Sequence, residues 1–128
     1  MAVPVISFID DDASVRAAAD NLLSAHGYVV HSFASAEDFL QSARLHNSSC
    51  VVADVQMPGI SGLDLLKIVR SQGNDTPFIF ITAFPNEGVR ARAVKAGADV
   101  LLEKPFSSSV LIDCIEAALN GDRQGTGQ

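Results

Sequence analysis

The sequence predicts an α/β fold, a doubly wound five-stranded parallel sheet with helices on both faces. Three observations carry this. Short apolar runs alternate five times with stretches of helical periodicity, without interruption. The runs are nearly continuous in apolar residues, as strands covered on both faces must be. Carboxylates, a hydroxyl or a lysine stand at or just past the ends of four runs, where open α/β sheets place their sites.

Val5-Ile6-Ser7-Phe8-Ile9 is the first strand, stopped by Asp10-Asp11-Asp12. Val15, Ala19, Leu22 and Leu23 then recur at helical spacing, and Gly27 supplies a C-terminal stop. Tyr28 to Phe33 reads as a second strand, polar enough for a sheet edge. Ser35 caps a helix with the stripe Ala36, Phe39, Leu40 and Ala43. Cys50 to Ala53 forms a third strand that ends at Asp54, and a loop through Met57-Pro58-Gly59 leads to a helix carrying Leu63, Leu66 and Val69. Phe78 to Ile81 is a fourth strand ending at Thr82, followed by a helix from about Asn86 to Ala96 that stops at Gly97. Val100-Leu101-Leu102 is the fifth strand, with Lys104-Pro105 just beyond it. The last helix repeats Leu111, Cys114, Ile115, Ala118 and Leu119. One domain over 1–121 is expected, with 122–128 a flexible tail or the start of a linker to an output domain.

At 128 residues, 48% of them hydrophobic, the chain can bury one real core. No apolar run approaches the roughly 18 residues of a membrane span, and the acidic triplet near the start breaks any signal-peptide pattern. A soluble, cytoplasmic protein is expected, with no membrane contact. The net charge of −6 argues against this domain contacting nucleic acid directly, since phosphates need clustered Lys and Arg. Cys50 and Cys114 lie in apolar stretches and read as small buried hydrophobes. His26, His31 and His46 are placed as structural residues, none as a phosphodonor.

The chemistry follows from the strand ends. If strands 1 and 3 are neighbours, Asp10, Asp11 and Asp54 converge. Three close carboxylates repel, and a hard cation with oxygen ligands is the natural remedy; Mg2+ fits best, with Mn2+ as its substitute. Lys104 supplies a mobile positive charge for an anionic oxygen, and Thr82 a hydroxyl donor. An aspartate nucleophile with these neighbours describes a phosphoryl-acceptor site. Asp12 is as well read as a helix cap. A nucleotide- or flavin-binding module of the same architecture would want a Gly-rich or Ser/Thr-rich loop after strand 1, whereas this loop is acidic. A domain of this kind kept only for protein contacts predicts loss of Asp54, Asp11 or Lys104, and all are present.

Five motifs sharpen this: Ile9-Asp10-Asp11-Asp12 with Val15-Arg16; Asp54-Val55-Gln56-Met57-Pro58-Gly59 with Gly62; Ile81-Thr82-Ala83; Ala96-Gly97-Ala98; and Glu103-Lys104-Pro105-Phe106. In order and spacing the chain resembles the receiver domain of two-component response regulators over roughly residues 4 to 120. The resemblance implies a flavodoxin-like sheet of order 2-1-3-4-5 and phosphorylation of Asp54. It implies Mg2+ held by Asp10, Asp11, Asp54 and the backbone carbonyl of Gln56, with Asp11 the more direct ligand of the first pair. Thr82 and Lys104 match the residues that contact the phosphoryl oxygens, and the Lys104–Pro105 bond resembles one that is usually cis. The implied donor is a sensor histidine kinase, a phosphotransfer protein or a small phosphodonor such as acetyl phosphate. The implied output is a homodimer or partner surface, regulating transcription through a C-terminal domain or acting as a stand-alone relay.

One position departs from the pattern. The switch residue three before the lysine is commonly aromatic in the family and is Leu101 here. The switch set is therefore read as Thr82, Phe84 and Leu101, with Phe84 as the aromatic that substitutes. The helix from Asn86 to Ala96 is the expected moving element, anchored only by Val89, Val94 and alanines and weakened by Gly88, with Glu87, Arg90, Arg92 and Lys95 outward. Val110 and Ile112, beside the stripe of the last helix, are candidates for a dimer or partner surface.

Overall fold

A computed structural model describes residues 3–121; the expected tail, 122–128, lies outside the described residues. Five strands, β1 (Val5–Ile9), β2 (Val29–Phe33), β3 (Cys50–Asp54), β4 (Phe78–Thr82) and β5 (Val100–Glu103), alternate with five helices. These are α1 (Ala13–Ala25), α2 (Ala36–Leu40), α3 (Gly62–Ser71), α4 (Glu87–Ala96) and α5 (Ser108–Leu119). All neighbouring strands pair in parallel, in the order β2-β1-β3-β4-β5. This is the order that the resemblance implied.

The alternation of side chains along each strand divides the core into two layers. On one face Ile9, Val51, Ala53, Phe78 and Phe80 pack with Phe39, Leu66, Val69, Val89 and Ala93 of α2, α3 and α4. On the other, Ile6, Phe8, Cys50, Val52, Ile79 and Ile81 meet Ala19 and Leu23 of α1 and Leu111 and Ile115 of α5. The central strands β3 and β4 are buried throughout, while β2 at the edge is only partly covered.

Each α-helix starts on a side-chain cap. Asp12, Ser35, Ser61, Asn86 and Ser107 accept from main-chain amides two or three residues on, which satisfies donors that the helix itself cannot. α4 ends at Gly97, whose φ of 97° is left-handed and costs a residue without Cβ nothing. The Lys104–Pro105 bond is cis.

Four sequence readings need correction. The stripe of α2 was carried to Ala43, yet α2 stops at Leu40 and a 3-10 turn, Ala43–His46, follows. Ser42 is the cause: its hydroxyl donates to the Phe39 carbonyl at 2.8 Å and accepts from the Arg44 amide at 3.1 Å. Its side chain thus offers the backbone an alternative to the helix. His46 consequently lies in that turn. In α4, Val94 is 71% exposed and anchors nothing, because five residues beyond Val89 is about 140° round the helix. Ile112 is buried, one turn before Ile115 and on the same face, so only Val110 remains exposed beside that stripe. Cys50 is buried as expected, but Cys114 is only half-buried; neither forms a disulfide.

Candidate phosphoacceptor site

Parallel pairing sets Ile9 beside Ala53 and Asp54 beside Ile81. The residues just after β1 and at the ends of β3 and β4 therefore emerge together, at the point where strand order reverses. Asp10 is fully buried, Asp54 nearly so, and Asp11 exposed. Their carboxylates each offer a ligand atom, all within 4.8 Å of one another.

The main chain orients each acid. Asp10 Oδ1 accepts from the Asp12 amide at 2.9 Å, and Asp54 Oδ1 from the Gln56 amide at 3.2 Å. Arg16 donates to the Asp10 carbonyl at 2.7 Å, which brings a further positive charge beneath the cluster. Lys104 Nζ lies 2.9 Å from Asp10 Oδ2 and donates to Asp54 Oδ2 at 3.1 Å. The Lys104 amide also donates to the Thr82 carbonyl at 2.8 Å, so the lysine enters from a ladder-fixed position.

Burial pushes the Asp54 carboxyl above its ordinary pKa, and the charge of Asp10 pushes the same way; Lys104 and the Gln56 amide oppose them. For Lys104, burial works to lower the pKa, but contact with both aspartates outweighs it and holds the ammonium above its usual value. A charged lysine therefore serves two acids that one cation cannot neutralise fully. Asp10 Oδ2 is completely buried and is met by the Lys104 ammonium at 2.9 Å. A buried carboxylate oxygen in that condition, beside two more carboxylates, fits a hard divalent cation.

Thr82 is fully buried at the end of β4. Its Oγ1 accepts from the Phe84 amide at 3.0 Å and donates to Gln56 Oε1 at 2.7 Å. Phe84 is 69% exposed, whereas Leu101 is partly buried against the first core layer. The structure thus brings Asp10, Asp11, Asp54, Gln56, Thr82 and Lys104 together and leaves Phe84 exposed and Leu101 partly buried. Asp12 caps α1, taking the Ser14 and Val15 amides and the Ser14 hydroxyl on Oδ1, and stands apart from the cluster.

Some contributors escaped the sequence reading. The bond between the Gln56 side chain and the Thr82 hydroxyl is not among the sequence expectations, which give Gln56 a metal-facing carbonyl and a place beside the hydrolytic water. Glu37 of α2 reaches the Ile60 amide at 3.2 Å and so steadies the loop after Asp54. Gly62 lies so close to the Asp54 carbonyl that no Cβ fits there. Its place in the Asp54-to-Gly62 motif was the available signal for that approach.

A parallel sheet with buried carboxylates at its switch point and a lysine just past the last strand defines a flavodoxin-like domain with an acidic site. The chain belongs to the response regulator receiver domain family, whose profile matches residues 6–116. It is 38% identical over 120 residues to nodulation protein W of Bradyrhizobium diazoefficiens, covering 94% of this chain and 53% of that protein. It is 39% identical over 116 residues to the transcriptional regulatory protein TdiR of Thauera aromatica, covering 91% of this chain and 51% of the relative. The chain therefore spans about half the length of these curated relatives. Among solved structures, that of FixJ-N superposes with a TM-score of 0.84 at 34% identity, covering 94% of this chain and 96% of the other. Receiver domains are phosphoacceptor signalling domains. No helix among the described residues is long and apolar enough to cross a membrane.

Proposed function

We propose that Asp54 takes a phosphoryl group from a sensor histidine kinase, a phosphotransfer protein or a small phosphodonor, and that the change is read out through the β4–α4 loop. The observation that carries this is the placement of Lys104 Nζ within 3.1 Å of both Asp10 and Asp54 carboxylates, in a group of three carboxylates whose ligand atoms lie within 4.8 Å of one another. Asp10, Asp11, Asp54 and the Gln56 carbonyl are the groups that would hold Mg2+ or Mn2+. The bound ion supplies positive charge opposite the transferring phosphoryl oxygens.

The chain's own residues do the rest. An Asp54 oxygen attacks phosphorus in line; the new O–P bond forms as the P–N bond to the donor imidazole breaks, and that nitrogen keeps the bonding pair. Lys104 offers its ammonium to the phosphoryl oxygens, and Thr82 its hydroxyl proton. Gln56 and Phe84 flank the path of the water that later hydrolyses the acyl phosphate, so the domain catalyses both its own phosphorylation and its own dephosphorylation.

Phosphorylation adds about −1.5 to −2 of charge at Asp54 and must bias an element with two arrangements. α4 suits this, since Val89 and Ala93 are its only buried residues. Leu101 is a small reporter, and Phe84 is the exposed aromatic through which a second copy or a partner would sense the change. The name of the transcriptional regulatory protein TdiR supports an output in transcription, carried by a segment equivalent to the half of that protein that this chain does not span; the cytoplasm is the proposed location. A stand-alone relay is the second reading.

Titration with beryllofluoride and Mg2+, a phosphoryl mimic that needs the aspartate and the metal together, tests the site. Saturable binding that disappears in Asp54→Asn is the expected result; absence of binding by the wild type, or its persistence in the variant, overturns the assignment.

A further inference from the structure

The hydroxyl of Thr82 has one proton, and that proton is already committed. Its oxygen accepts from the Phe84 amide at 3.0 Å, which turns the proton away from that side, and the donor bond goes to Gln56 Oε1 at 2.7 Å. A phosphoryl oxygen on Asp54 needs the same proton. The two acceptors therefore compete for one donor, and the side chain of Gln56 holds it first.

Resting on the phosphoacceptor reading above, we propose that the Gln56 side chain is a brake on that site, a positioning residue that holds the Thr82 hydroxyl in a state unable to serve a phosphoryl group. Three features fit the role. Gln56 is exposed, so its amide can be released into water, where its lost hydrogen bond is replaced. Thr82 is fully buried, so its hydroxyl has no such recourse and must always find an acceptor in the protein or in the ligand. The main-chain N–H of the same Gln56 donates to Asp54 Oδ1 at 3.2 Å, which places the brake on the chain segment that feels the acceptor directly. Modification of Asp54 thus exchanges one Thr82 acceptor for another, and the cost of dislodging Gln56 sets how readily the domain is charged.

The test is beryllofluoride binding with saturating Mg2+ in Gln56→Ala and in Gln56→Met, which keeps the length of the side chain but has no amide oxygen. Both keep the main-chain carbonyl. Each variant should bind about two- to tenfold tighter than the wild type, the range expected for loss of one competing hydrogen bond. In a Thr82→Ala background neither change should have any effect. Unchanged or weaker binding in both variants overturns the brake while leaving Asp54 as the acceptor. So does a gain in Gln56→Ala alone, which would mark steric cover, or an equal gain without Thr82. A wild type that binds no beryllofluoride overturns the acceptor reading and the brake with it.

Discussion

Lys104 meets Asp10 at 2.9 Å across the carboxyl end of the sheet, an ammonium 19% exposed against a carboxylate with no exposure at all. A contact of that kind holds the cluster together without a metal. Lys104→Met, which keeps the apolar stem and drops the charge, leaves Asp10 facing Asp54 with its strongest counter-charge gone. Urea denaturation in chelator should show a loss of about 1–3 kcal/mol. Added Mg2+ should recover a larger share of stability in the variant than in the wild type, because it then supplies the charge that the lysine no longer does.

The raised pKa of Asp54 makes a second prediction, with a definite sign. Burial first, and then Asp10, disfavour its charged form in the fold. The stability tied to its neutral form is present below the ordinary carboxylate pKa and is lost as pH rises through the folded value. Without metal, the melting temperature should therefore fall as pH rises from about 4 toward neutrality. Asp54→Asn should flatten that decline, and Mg2+ at neutral pH should reverse it in the wild type but not in the variant.

Gly62 has no room to grow. A Cβ there would run into the Asp54 carbonyl and meet the Phe80 ring at 3.1 Å. Gly62→Ala should destabilise by about 1–3 kcal/mol, measured by chemical denaturation. It should also weaken beryllofluoride binding, since the strain falls on the backbone that presents the acceptor.

Phe84→Ala removes an exposed ring and little else. Stability should stay within about 0.5 kcal/mol of the wild type, and beryllofluoride binding should be retained. Sedimentation with and without beryllofluoride should show loss of any activation-linked association; an unaltered association would remove Phe84 from the readout.

Much of this was legible in the chain because two simple signals agreed. Continuous apolar runs marked β1, β3 and β4, and the same runs ended in Asp10, Asp54 and Thr82, so locating the strands also located the chemistry. What was missed was decided by contacts that periodicity does not carry. Ser42 diverted the backbone away from α2 through its hydroxyl. Val94 counted as apolar although its angular position turned it outward, and Ile112 was set beside a stripe to which its spacing from Ile115 assigns it. The bond from Thr82 to the Gln56 side chain was invisible because the two lie 26 positions apart and meet only once β3 and β4 pair.

The bond from the Lys104 amide to the Thr82 carbonyl has a mechanical meaning. It extends the ladder to Lys104, one residue past β5, and ties the backbones of lysine and threonine directly to each other. Strand structure ends at Ala83, one residue later, on the surface. The last rung of the ladder thus stands one residue from the exterior, with no core between the two.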